Sequence, residues 1–257
     1  MVKAHGRPDE HRPLVLVTAT KREMREVLGS RMDIPELLWG GCVPWSWSGR
    51  SLLLLVTGVG PINAALALGR LLGQRQDVLG ALNLGIAGSF DPELQPLRQL
   101  SLVDEEIWPE YGLITEHGLE VEELKCPLGR HGDAWVFDRL RLAPEESGPS
   151  LGLALPQAWP RTSSLTVAGV SGCSQRAEEL RSRYGAHLEN MEGFALAWAC
   201  KQAGLPFVEV RSVSNRVGSR RQRDWDIPGA LAALRQALPA LIRVNARRPS
   251  SEGPQSG

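Results

Sequence analysis

Glu189-Asn190-Met191-Glu192 stands just before a small, apolar, helix-forming run at 194–200. The start of a helix exposes unpaired backbone N–H groups and favours negative charge. Glu192 has apolar residues on both sides, so it is the carboxylate nearest to burial. A buried carboxylate needs hydrogen-bond donors. Few stand nearby in sequence, and a ligand that brings hydroxyl groups would supply them. A capping carboxylate with no ligand explains the same residues. Glu23 is the second candidate. Thr20 with Glu23 three residues on has capping-box spacing, which sets Glu23 in the first turn of a helix. The helix follows an apolar strand, Leu14–Thr18, and in open α/β sheets the carboxyl end of a strand is where ligands bind. A cap alone accounts for Glu23 equally well.

These residues need a frame, and the chain alternates strand and helix signals almost throughout. Runs at 14–18, 37–47, 51–56, 79–84, 97–108, 164–170 and 206–213 read as strands, rich in β-branched and apolar residues. Runs at 64–72, 177–184, 194–200 and 227–245 read as helices. In the last of these, Leu231, Leu234, Leu238, Leu241 and Ile242 recur at helical spacing for packing. Glycine turns follow two strands, Gly58-Val59-Gly60 and Gly85-Ile86-Ala87-Gly88. There bare backbone can approach a flat ligand, although a tight turn would also need the glycines. Asn63 occupies the third glycine position of a G-x-G-x-x-G fingerprint, which argues against dinucleotide binding. Glu105-Glu106 reads as a solvated face. The stretch 111–160 reads as a long surface excursion. The alternation predicts an α/β fold, a single domain with a mixed or parallel sheet covered on both faces.

Composition narrows the function. Lys plus Arg equal Asp plus Glu, 29 against 29, so no global charge draws the chain to nucleic acid or to an anionic membrane. Cys42, Cys126, Cys173 and Cys200 are scattered, which suits reduced thiols in a cytoplasm better than disulfides or a metal site. Residues 1–13 are polar and read as a flexible N-terminus. Residues 247–257 are rich in Ser, Pro, Gly and Gln and read as a disordered tail.

Several strand ends thus carry candidate groups: Glu23, the two glycine turns, Ser171-Gly172, Met191-Glu192 and Ser214-Asn215. Together and in this order they resemble the purine nucleoside phosphorylase/nucleosidase superfamily. The resemblance runs over 14–246. It is strongest in Thr57-Gly58-Val59-Gly60-Pro61-Ile62-Asn63, Asn83-Leu84-Gly85-Ile86-Ala87-Gly88 and Asn190-Met191-Glu192-Gly193. Within the superfamily the chain is similar to the methylthioadenosine/S-adenosylhomocysteine nucleosidase branch. The run 211–218 followed by Trp225 is similar to the futalosine hydrolases of that branch.

The resemblance implies a three-layer α/β/α sandwich with a central mixed sheet, hydrolysis of an N-glycosidic bond, no cofactor and a homodimer or higher homo-oligomer. Futalosine is a nucleoside on the way to menaquinone. In this scheme Glu192 binds the ribose hydroxyls, Met191 packs on the sugar, and Glu23 takes a proton from the attacking water. Asn190, Ile86, Ala87, Gly88, Ser171, Gly172, Cys173 and Ser214 line the substrate, and Asn215 bonds the leaving base. Adenine-releasing members carry Asp where this chain has Asn215. An amide can donate to a 6-oxo group and to N7, which favours hypoxanthine. Phosphorylases carry Arg where this chain has Asn83 and lack the carboxylate at Glu23, so water is the expected nucleophile. An adenine-releasing nucleosidase, a phosphorylase and a non-catalytic nucleoside binder remain the alternatives.

Overall fold

The computed structural model describes residues 12–29 and 34–242. The expected flexible N-terminus, 1–13, lies outside them except for Arg12 and Pro13. The expected tail, 247–257, and the last residues of the helix expected to reach 245 also lie outside them.

Strand β1 (Leu14–Thr18) leads into α1 (Lys21–Leu28), and β2 (Cys42–Trp47) and β3 (Arg50–Val56) form a hairpin before α2 (Pro61–Gln74). Next come β4 (Gly80–Ser89), β5 (Leu100–Ile107), β6 (Leu113–Thr115), β7 (Gly118–Glu120), β8 (Gly129–His131), β9 (Ala134–Val136), β10 (Arg139–Arg141) and α3 (Pro144–Ser150). The chain finishes with β11 (Arg161–Thr166), α4 (Ser174–Tyr184), β12 (Leu188–Asn190), α5 (Gly193–Gln202), β13 (Phe207–Arg216) and α6 (Ile227–Leu241).

Nine strands form one mixed sheet in the order β10-β5-β11-β12-β4-β1-β3-β2, with β13 paired to both β4 and β5. The pairings of β4 with β13, β13 with β5, β5 with β11, β11 with β12, and β12 with β4 curl this half of the sheet into a ring. Apolar side chains cover both faces of β1, β3 and β4. Leu14, Leu16, Leu52, Leu54, Leu82 and Leu84 pack toward α1 and α6, and Val15, Val17, Leu53, Leu55 and Ala81 pack toward α2 and α5. This double burial is why those strands read as continuous apolar runs. The result is the expected three-layer α/β/α sandwich.

Four readings change. Gly85 to Gly88 is not a turn after β4 but its second half, and neither glycine has positive φ. A side chain at Gly85 would collide with the Arg211 guanidinium, so close approach, not turn geometry, requires that glycine. Residues 37–41 precede β2 instead of belonging to it, and the strand expected at 164–170 is shifted to Arg161–Thr166. Glu106 is no part of a solvated face: it is fully buried, and only Glu105 turns outward, to Arg139. The 111–160 excursion forms two small hairpins, β6–β7 and β8–β9, before β10 returns to the edge of the sheet.

Candidate active site

The carboxyl ends of β1, β4, β12 and β13 open on one cleft of about 310 Å³. Its walls include Glu23, Ile86, Ala87, Gly88, Ser171, Asn190, Met191, Glu192, Ser214 and Asn215. Ten of the twelve residues singled out from the sequence therefore meet at one place. Gly172 and Cys173 do not line it. Both are exposed, because the chain turns outward there and Cys173 is the cap residue just before α4.

Glu23 is held by its own helix. Oε2 accepts from the Thr20 backbone N–H at 2.8 Å and from Thr20 Oγ1 at 2.8 Å, while Thr20 Oγ1 accepts from Glu23 N at 3.1 Å. This is the capping box read from the sequence. It leaves Oε1 without a hydrogen-bond partner among the described residues, on the side that faces Gly85 across the cleft floor.

Glu192 faces the same space and is held from afar. Its Oε1 accepts from the Gly60 backbone N–H at 3.0 Å, a donor on the turn that starts α2. Its Oε2 lies 4.0 Å from Arg211 Nη1. Burial raises the Glu192 pKa. Arg211 and the Gly60 bond pull it back down, and the charge of Glu23 across the cleft pushes it up.

Beneath the floor lies a polar layer that the sequence reading missed. Asn190 is in the cleft wall, but its amide is committed elsewhere. Nδ2 donates to Glu106 Oε1 at 2.7 Å and to Ser164 Oγ at 2.6 Å, and Oδ1 accepts the backbone N–H of Glu192 and Gly193. Asn190 therefore lines the cleft and also supports the turn that carries Glu192. Thr166 Oγ1 donates to Glu106 Oε2 and accepts from Phe194 N, so it caps α5. Arg211 Nε donates to Glu209 at 2.6 Å, with both side chains inside the protein. Burial alone would lower the Arg211 pKa, but Glu209, Glu192 and Glu106 outweigh it. Glu106 is raised well above the ordinary carboxyl value, first by burial and then by Glu209. One guanidinium cannot neutralise three carboxylates. The raised value favours a neutral Glu106, which leaves Arg211 to Glu209 and Glu192. A charged residue at alternate positions of an otherwise apolar strand, Glu209 and Arg211, was the signal available in the sequence.

The outer wall carries Arg22, Arg220 and Trp225, with Arg220 stacked 5.7 Å from the Trp225 ring. No group of three His, Cys, Asp or Glu positioned to hold a metal occurs among the described residues. No helix among them is long and apolar enough to cross a membrane.

The model of the phosphorylase superfamily matches residues 13–246. The chain is 37% identical over 216 residues to a futalosine hydrolase of Thermus thermophilus, covering 83% of this chain and 89% of that protein. The chain belongs to the phosphorylase superfamily, in its futalosine hydrolase family. A futalosine hydrolase of Streptomyces coelicolor is 36% identical over 199 residues, 74% of this chain and 78% of its own length. Among solved structures, a futalosine hydrolase of Helicobacter pylori superposes with a TM-score of 0.67 at 17% identity, covering 89% of this chain and 97% of that one. That likeness shows the fold. The two glutamates that the sequence set at strand and helix ends are thus brought together within a family of N-glycosyl bond chemistry.

Proposed function

We propose that the protein is an N-glycosyl hydrolase that cleaves futalosine to hypoxanthine and dehypoxanthine futalosine, a step of menaquinone synthesis. The observation that carries this reading is the pair Glu23 and Glu192 facing one cleft with different surroundings. Departure of the base leaves a cation-like ribosyl group. Glu192, anchored by Gly60 and Arg211, keeps its remaining lone pairs for the ribose hydroxyls, and Met191 supplies an apolar wall for the sugar. Glu23 Oε1 takes the proton of the attacking water as general base. Asn215 closes the base end. Its Oδ1 accepts from Ser214 Oγ at 2.8 Å and its Nδ2 donates to the Arg216 carbonyl at 3.2 Å, which leaves one Nδ2 hydrogen for an acceptor such as O6 or N7.

Water is favoured over phosphate as nucleophile. Asn83 is neutral and buried within the sheet, and Arg211 is engaged by Glu209. Neither offers a free cation under the floor. A homodimer belongs to the same reading, since Ile62 and Leu66 leave an apolar stripe of α2 exposed beside Val59 of the cleft wall.

Incubation with futalosine, with hypoxanthine followed by chromatography, should give stoichiometric release without added phosphate. Asn215→Asp should shift preference toward adenine-bearing substrates such as methylthioadenosine. No hypoxanthine at high enzyme concentration overturns the reading, and turnover that requires phosphate replaces it with a phosphorylase.

A further inference from the structure

Glu189 has no part in the scheme above, yet it lines the cleft and only 5% of its surface is exposed. Its place in the sheet is defined by Gly88. On one edge of β4, Gly88 pairs with Glu189 of β12, and on the other edge it pairs with Asn215 of β13. Neighbouring strands are roughly 4.8 Å apart, so the two flanking backbones stand about 10 Å from each other with a bare glycine between them. A side chain at Gly88 would meet Asn215 Nδ2 at 3.0 Å and Val217 at 2.8 Å, so glycine is what lets these two side chains close in beside the cleft. The geometry is a stretch of cleft wall with an amide on one side of Gly88 and a carboxylate on the other.

The carboxylate is fixed in orientation. Ser171 N donates to Oε1 at 2.9 Å and Ser171 Oγ donates to Oε2 at 2.6 Å. Each carboxylate oxygen can accept a second hydrogen bond. Glu189 is thus an acceptor of fixed orientation in the cleft wall, and it suits a ligand with an N–H at that edge.

We infer that Glu189 is a specificity residue that accepts the N1–H of a 6-oxopurine base held beside Gly88, opposite Asn215. This deepens the nucleosidase reading and rests on it. Hypoxanthine presents N1–H as a donor, with O6 and N7 as acceptors, which matches a carboxylate on one side and an amide N–H on the other. Adenine presents a bare N1 lone pair, which a carboxylate repels. A site built to pair a buried polar group rejects the mismatched base far more strongly than an apolar pocket rejects a change of shape.

The test compares futalosine, its 6-amino counterpart and its N1-methyl derivative on wild-type enzyme and on Glu189→Gln. A hydrogen bond to a charged group corresponds to roughly a tenfold to hundredfold change in kcat/KM. Wild type should lose that much on the N1-methyl derivative. Glu189→Gln, whose amide can still bond Ser171, should lose it on futalosine while holding or gaining on the 6-amino substrate. A merely structural role would lower all three substrates together, and that result overturns the inference. So does a wild-type enzyme that cleaves the N1-methyl derivative within twofold of futalosine, a result that does not depend on the variant folding. A wild-type enzyme that cleaves none of the three overturns the nucleosidase reading itself, and this inference with it.

Discussion

Glu23 and Glu192 face one cleft, but the groups that hold them come from different distances along the chain. Thr20 positions Glu23 from three residues away, through a closed pair of local hydrogen bonds. Glu192 depends on Gly60 and Arg211, and its backbone hangs on Asn190, which in turn hangs on Glu106. The local device leaves one carboxylate oxygen free and asks nothing of the rest of the fold. The remote device needs three strands, β5, β12 and β13, and the start of α2 in register before it exists. In the roles proposed above, a base that changes protonation in each cycle is suited by the first arrangement, and a carboxylate that stays put against a sugar by the second.

The sharpest way to break this contrast is Glu23→Gln. The amide oxygen can still accept from Thr20, so the helix start should survive. Only the basic lone pair is lost. General-base removal costs on the order of 10²–10⁴ in rate. The expected result is a kcat loss in that range with calorimetric affinity for the nucleoside retained. A kcat within threefold of wild type would remove Glu23 from the chemistry and return it to a plain cap.

Glu106→Gln probes the remote side. A protonated Glu106 has its folded pKa raised, so the stability it provides is complete below the ordinary glutamate value, ~4.3, and is lost as pH rises through the raised value. The glutamine carries no such titration, and its amide oxygen can still accept a hydrogen bond as the Glu106 carboxyl does. The stability difference between wild type and Glu106→Gln should therefore move in favour of the variant above about pH 4.3, by up to ~1.4 kcal/mol per pH unit across the window. Glu110, Asp138, Glu189 and Glu192 are also raised by burial, and they cancel in the difference between the two proteins. Chemical denaturation at a series of pH values measures this. A difference that stays flat would mean that Glu106 is ionised in the folded protein.

The same contrast explains what the sequence disclosed. The capping box, the doubly buried strands and the apolar spacing of α6 depend on residues a few positions apart, so local patterns carried them. Glu106 could not be read this way. Its partners Asn190 and Thr166 lie 84 and 60 residues further along, and an acidic pair with no nearby cation looks like a surface. Glycines 85 and 88 misled for a related reason. They are small because Arg211 and Asn215 crowd them from another strand, not because the backbone turns. Glu189 went unassigned because its meaning depends on lying beside Gly88, a pairing that exists only once the sheet has curled.

The smallest effect expected belongs to Thr20→Val, which keeps the shape of the cap residue and removes its hydroxyl. Loss of such a cap costs about 1 kcal/mol, a fall of roughly 2–4 °C in Tm for a domain of this size. Glu23 retains the Thr20 backbone N–H, so its carboxylate should stay in the cleft. Turnover should then fall by less than tenfold, far short of Glu23→Gln. If Thr20→Val instead matched the loss in Glu23→Gln at nearly unchanged Tm, the hydroxyl would be setting the position of the base itself, and the local device would be as exacting as the remote one.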